Sequence, residues 1–278
     1  MKKTVLFFSI IMLVIGCTGC SLQNSDLTVL LTGISDGAPD LGAVPVYRFA
    51  DEETYSDHHF DDDAVAVING QTVTGVLHDV EYQDYNYYPT ARYRGDDGSE
   101  FDIEPNGTVT FWYSPRTADI SSDKITENEA ESIAKEFLSQ FADVDLYETD
   151  ITDQPDRSRY EIWFTKRIGN MDTTDCAAVR VFYSGTIDNY GSFMLNHVPN
   201  DTENIFAEVD LDSIVYDGLD KILQNVSNDY NNIKYGEPTY LLTVLKDGKT
   251  AVIAIVDVEM TNDDHFTSSR LELVIMES

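Results

Sequence analysis

Positive charge is what this chain has least of. Eighteen lysines and arginines stand against fifty aspartates and glutamates, a formal net charge of −32 over 278 residues. Such a surface repels phosphate backbones, which excludes nucleic acid as a partner. It repels anionic lipid headgroups as well, so no basic patch can hold it on a membrane. Cysteine is scarce: Cys17 and Cys20 lie near the start, and Cys176 stands alone further on. A disulfide-stapled scaffold is therefore excluded. No apolar run reaches the roughly 20 residues of a membrane-spanning helix. Phosphate-binding loops, dinucleotide fingerprints and the serine-hydrolase elbow are missing too. Ser121–Lys124 and Ser132–Lys135 spell Ser-x-x-Lys, but the Ser-Asp-Asn and Lys-Thr-Gly elements that accompany it in penicillin-recognising enzymes are absent. The expectation is that this is not an enzyme.

What is present begins at the N-terminus. Lys2-Lys3 precede a short apolar stretch, Thr4 to Ile15, which closes on Gly16-Cys17. A charged start, a brief apolar core and a small residue before a cysteine read as an export signal. Val14-Ile15-Gly16-Cys17 resembles the lipobox of bacterial lipoproteins, in which the cysteine becomes the acylated first residue of the mature chain. Cys20 is the alternative, although Cys17 would then stand where an aliphatic residue is usual. The resemblance implies a signal over residues 1–16, lipidation at Cys17, and a polar tether over 17–26. It implies a location on the extracytoplasmic face of the cell membrane, held there by an acyl anchor.

The remaining chain has enough apolar content, with sixteen tyrosines and thirteen phenylalanines, to bury a core. From 27 to 118 the signals are β: Leu27–Thr32, Val44–Phe49, Ala64–Ile68 and Thr72–Leu77 are short runs bounded by Gly, Pro, Asp or Asn. Asn69-Gly70 joins two of them with the residues that a tight hairpin turn requires. Residues 91–113 read as a three-stranded meander. The period then changes. Thr126 and Glu129 have capping-box spacing, and Ala130, Ile133, Ala134, Phe137, Leu138 and Phe141 follow along one helical stripe. Strands are expected at 159–168, 177–183 and 186–194. A second helical stripe, Leu211 to Val226, precedes strands at 239–245, 250–260 and 269–276.

The run Ile125-Thr126-Glu127-Asn128-Glu129-Ala130-Glu131-Ser132-Ile133-Ala134 resembles the opening helix of PepSY-like domains. Tyr160 to Phe164, Ala178 to Val181 and Gly185 to Ile187 resemble that family's paired strands and terminal glycine turn. The resemblance implies an extracytoplasmic module that restrains a protease or serves as a binding or chaperone-like unit. It supplies no catalytic residue set. The expected fold is α+β with antiparallel sheets: a β-rich N-terminal domain (27–118), a PepSY-like helix-plus-three-strand unit (123–198), and a second such unit (205–278).

Two clusters carry chemistry. In Asp57-His58-His59-Phe60-Asp61-Asp62-Asp63, extended backbone would place Asp57, His59, Asp61 and Asp63 on one face, a set that calcium, manganese or zinc would accept. Neither a helical zinc spacing nor a calcium-loop spacing is present, so the cluster equally reads as a polar loop before the strand at 64–68. Tyr82, Tyr85, Tyr87, Tyr88, Tyr93, Trp112 and Tyr113 form the second cluster, a stacking platform for sugar, a docking face for protein or a set of packed rings; the first four are the candidate partner-binding residues. Cys176 reads as a free, buried thiol, with a bridge to Cys20 as the alternative. The leading expectation is a non-enzymatic protein-binding or regulatory module with an extracytoplasmic protein partner and no resident cofactor. The alternatives are a divalent-cation-binding surface protein, with Ca²⁺ as the candidate ion, and an unrecognised hydrolase.

Overall fold

A computed structural model of the chain describes residues 12–13, 27–34, 46–47, 59–81, 89–115, 124–193, 195–223, 232–245, 248–262 and 266–277. Strand dominates it. In chain order the strands are β1 (Met12–Leu13), β2 (Leu27–Ile34), β3 (Val46–Tyr47), β4 (Asp63–Ile68), β5 (Gln71–Glu81), β6 (Thr90–Arg94), β7 (Glu100–Ile103) and β8 (Val109–Tyr113). Helix α1 (Glu127–Leu138) follows, then β9 (Tyr147–Gln154), β10 (Arg159–Ile168), β11 (Met171–Phe182) and β12 (Ile187–Phe193). Helix α2 (Leu211–Leu223) precedes β13 (Asn232–Tyr235), β14 (Thr239–Val244), β15 (Thr250–Thr261) and β16 (Phe266–Glu277). The chain divides into two compact units, each assembled from separated segments. One comprises 51–167 with 173–198; the other comprises 1–50, 168–172 and 199–278.

In the unit of 51–167 and 173–198, a continuous sheet runs β9-β10-β11-β12-β8-β7-β6-β5-β4. Its terminal hairpin, β4–β5, forms as Asn69-Gly70 dictates: both residues have positive φ, 53° and 69°, and only two residues separate the paired Ile68 and Gln71. Gly75 is required for packing, because a Cβ there would lie 2.9 Å from Tyr93 Cβ and 3.0 Å from Phe101 Cε1. Helix α1 starts on the expected box. Glu129 N donates to Thr126 Oγ1 at 3.3 Å, and Thr126 N donates to Glu129 Oε2 at 2.7 Å. Its stripe buries Ala130, Ala134, Phe137 and Leu138 into a core with Ile68, Phe101, Trp112, Ile162, Phe164, Val179 and Tyr190.

The other unit pairs β2 with β16, β16 with β15, and β15 with both β14 and β13. Asp210 precedes helix α2, and its carboxylate accepts from Ser213 N at 3.1 Å. It sets Leu211, Ile214, Val215, Leu219 and Leu223 against Val252, Ala254, Val256, Leu271, Leu273 and Ile275. The opposite face of β15 and β16 is buried as well, through Ala251, Ile253 and Val274. On that face stands Glu272, opposite Ile255 and only 7% exposed.

Burial pushes the Glu272 carboxyl up to about 7, with Arg270 opposing the rise. The folded state therefore holds a proton that the unfolded chain releases near 4.5, and stability falls as pH rises from there to about 7. Replacing Glu272 by Gln should raise stability at pH 8 by about 1–3 kcal/mol and do little at pH 5. Thermal melts of both proteins at the two pH values check this. An unchanged difference between them would refute the buried-acid account.

The structure corrects the expected α+β class. Two α-helices stand against sixteen strands among the described residues, and the strands are not partitioned into a β-rich domain and two helix-plus-three-strand units. Trp112 on β8 lies opposite Tyr190 on β12, so strands from 63–113 and from 147–193 share one sheet. Likewise Leu27–Ile34 pairs with the last strand of the chain. The reason is physical: hydrophobic period tells which face of a strand is buried, whereas the neighbour is chosen by long-range pairing.

Candidate functional site

The residues singled out by sequence are dispersed. Cys17, Cys20, Asp57, Tyr82, Tyr85, Tyr87 and Tyr88 lie outside the described residues; the four tyrosines belong to the connection between β5 and β6. His59, Asp61 and Asp63 are exposed, and only Asp63 lies on a strand. Tyr93 Oη donates to the Asp61 carbonyl at 3.1 Å, and Leu77 N donates to the Asp62 carbonyl at 2.7 Å. Those bonds use backbone oxygens and close the loop onto the sheet. Among the described residues no three His, Cys, Asp or Glu side chains converge as metal ligands. The two Ser-x-x-Lys lysines are engaged elsewhere: Lys124 with Asp153 at 2.6 Å, and Lys135 with Glu131 at 2.7 Å. Cys176 is free and largely buried, and its burial raises the thiol to about 12, which keeps it protonated and inert.

A buried ionic cluster emerged that sequence reasoning missed. Lys166 on β10 and Asp175 on β11 are 1% and 0% exposed, with Lys166 Nζ 3.5 Å from Asp175 Oδ2. Lys166 also donates to the carbonyl of Val198. Asp175 Oδ1 accepts from the backbone of His197 at 3.2 Å and of Val198 at 3.1 Å. His197 Nε2 lies 3.1 Å from Oε1 of the buried Glu104. Burial pushes Asp175 up to about 6, against the pull of Lys166. The signal was in the alternation. Tyr160, Ile162 and Phe164 face the core, and Lys166 continues their phase, as Asp175 does that of Ala177, Val179 and Val181. Every group in this cluster is turned inward and hydrogen-bonded to a neighbouring segment. It latches the loop after β12.

The outer face of the same sheet differs along its length. Its centre carries ion pairs, with Tyr113 and Trp163 exposed among them. Arg92 on β6 holds Asp102 on β7 with two bonds of 2.9 and 2.8 Å, Arg94 holds Glu100 at 2.7 Å, and Arg180 holds Glu161 at 2.9 Å. At the β4–β5 end these pairs give way to valine. Val65, Val67 and Val76 are 66%, 63% and 57% exposed. Three of the seven large apolar side chains exposed among the described residues therefore sit on one hairpin. Thr72 and Thr74 lie opposite Val67 and Val65, completing a small, uncharged surface. Beside it stand the acidic Asp61, Asp62 and Asp63.

No protein-family model matches the chain, and no curated protein matches it. Among solved structures it is similar to the Bacillus megaterium YpeB C-terminal domain, at 12% identity and a TM-score of 0.35. The similarity covers 74% of this chain and 89% of that one. Likeness at this level assigns no activity.

Proposed function

We propose that this protein is a non-enzymatic, membrane-anchored binding module of the cell exterior, and that it engages a protein partner through the β4–β5 hairpin. One observation carries the reading: Val65, Val67 and Val76 are three exposed valines gathered on one hairpin, at the end of a sheet face whose centre is held by ion pairs. A contiguous apolar patch costs free energy in water and is recovered by association. The surrounding acids favour a partner with a basic face, and they make the association rate fall as salt rises. The lipobox-like Val14-Ile15-Gly16-Cys17 supports the anchor.

The test is photo-crosslinking in living cells from position 67, compared with position 150 on the far strand β9. A single adduct of defined mass from 67, and none from 150, is the expected result. Equal labelling from both positions, or none from either, would remove the hairpin as the site. The anchor is checked separately by acyl labelling and cell fractionation. Cys17→Ser should abolish acylation and leave the protein uncleaved or released into the medium. Loss of acylation in Cys20→Ser alone would assign the anchor to Cys20, and unchanged acylation in both variants would end the lipoprotein reading.

A further inference from the structure

The two edges of the nine-stranded sheet are built differently. On β9, the outward positions are Glu148, Asp150 and Thr152, all exposed. Charges along an edge strand are a standard defence against adventitious pairing. The outward positions of β4 are Asp63, Val65 and Val67, so only its first residue is charged, and the strand carries no lysine, proline or bulge. One edge is charged along its length and the other only where it begins.

The backbone of β4 shows what the open edge offers. Leu77 N donates to the Asp62 carbonyl, which makes Asp62 and Leu77 a hydrogen-bonded pair. Moving along the register by twos, Ala64, Ala66 and Ile68 also turn their amides and carbonyls toward β5. Asp63, Val65 and Val67 therefore turn theirs away from it. No strand among the described residues pairs with that side. The same two valines supply both the outward main-chain groups and the exposed apolar side chains.

Resting on the binding-module reading, we propose that β4 receives an extended segment of a basic partner protein as an additional strand, bonded to the main chain of Val65 and Val67. Alternate side chains of the incoming strand would cover Val65, Val67 and Val76, and its flanking cations would meet Asp61, Asp62 and Asp63. Charge selects this occupant over a second copy of the chain, because two molecules of charge −32 repel each other.

Amide hydrogen exchange on the full-length protein tests this residue by residue. The probe is a short capped peptide in which valine and threonine alternate between paired lysines, with a glutamate-flanked counterpart. With the lysine peptide at saturation, exchange at Val65 and Val67 should slow at least tenfold. Ala64 and Ala66, already bonded to β5, should not change. Val67→Pro removes an outward donor only, so it should keep the fold and abolish the slowing. Failure of the lysine peptide to slow Val65 and Val67 overturns the proposal, as does equal slowing by the glutamate peptide. Concentration-dependent slowing without any peptide would assign the edge to a second copy and overturn it as well. A crosslink from position 67 together with unchanged exchange would leave the hairpin as a binding face but refute strand addition. Slowed exchange with no crosslinked partner would refute the binding-module reading instead.

Discussion

Lys166→Ala should destabilise the protein by about 3–5 kcal/mol, the cost of leaving a buried charge without its counterion. Asp175 is fully buried and Lys166 lies 3.5 Å away, and the same ammonium satisfies the Val198 carbonyl. Truncation strands both oxygens at once. The loss should depend on pH, and the sign follows from which state holds the proton. Lys166 lowers the Asp175 pKa, so removing it drives the folded-state value further above the usual carboxylate range. The folded variant then binds a proton that the unfolded chain releases near 3.8, and its stability falls as pH rises beyond that point. Urea unfolding at pH 5 and pH 8 should therefore show the larger deficit at pH 8. A deficit below about 1 kcal/mol, or one equal at both pH values, would mean that the pair is not buried in solution as it is here.

The pair also shows what sequence could and could not convey. That Lys166 and Asp175 occupy core-facing phases is legible by counting in twos from Ile162 and Val179. That they face each other is not, because it depends on the pairing of β10 with β11 and on the loop at 197–198 folding over them. Local features were read correctly: the Thr126–Glu129 box, the Asn69-Gly70 turn, and the stripe from Ala130 to Leu138 are each set by residues within a few positions. Strand β9 was missed for an equally physical reason. Tyr147, Thr149 and Ile151 alternate as a strand should, but Glu148, Asp150 and Asp153 are depleted in strands generally. An edge tolerates them, since their side chains reach water. The same logic hid the β4 edge. Val65 and Val67 look like core residues in the sequence, and only the register with Thr74 and Thr72 turns them outward.

Phe137 is where the local signal and the long-range pairing meet, and Phe137→Ala should cost about 3–5 kcal/mol. The ring is 1% exposed. Its centroid lies 5.7 Å from Trp112, 5.4 Å from Tyr190 and 5.6 Å from Phe141. Trp112 and Tyr190 are cross-strand neighbours on β8 and β12, the junction that joins the N-terminal strands to those after the helix. Alanine would leave a cavity lined by three rigid rings, which collapse poorly, so the cost should fall in the upper part of that range. Phe137→Leu keeps most of the volume and should cost less than half as much. Fluorescence separates this from a surface effect. The chain has two tryptophans, and Trp163 is 44% exposed, so a red shift in the native emission of Phe137→Ala must come from Trp112. Trp163→Phe isolates that signal. A variant that loses stability with no change in Trp112 emission would show that the helix unfolds away from an intact β8–β12 junction. A loss below about 1 kcal/mol would show that the ring does not fill the core between helix and sheet.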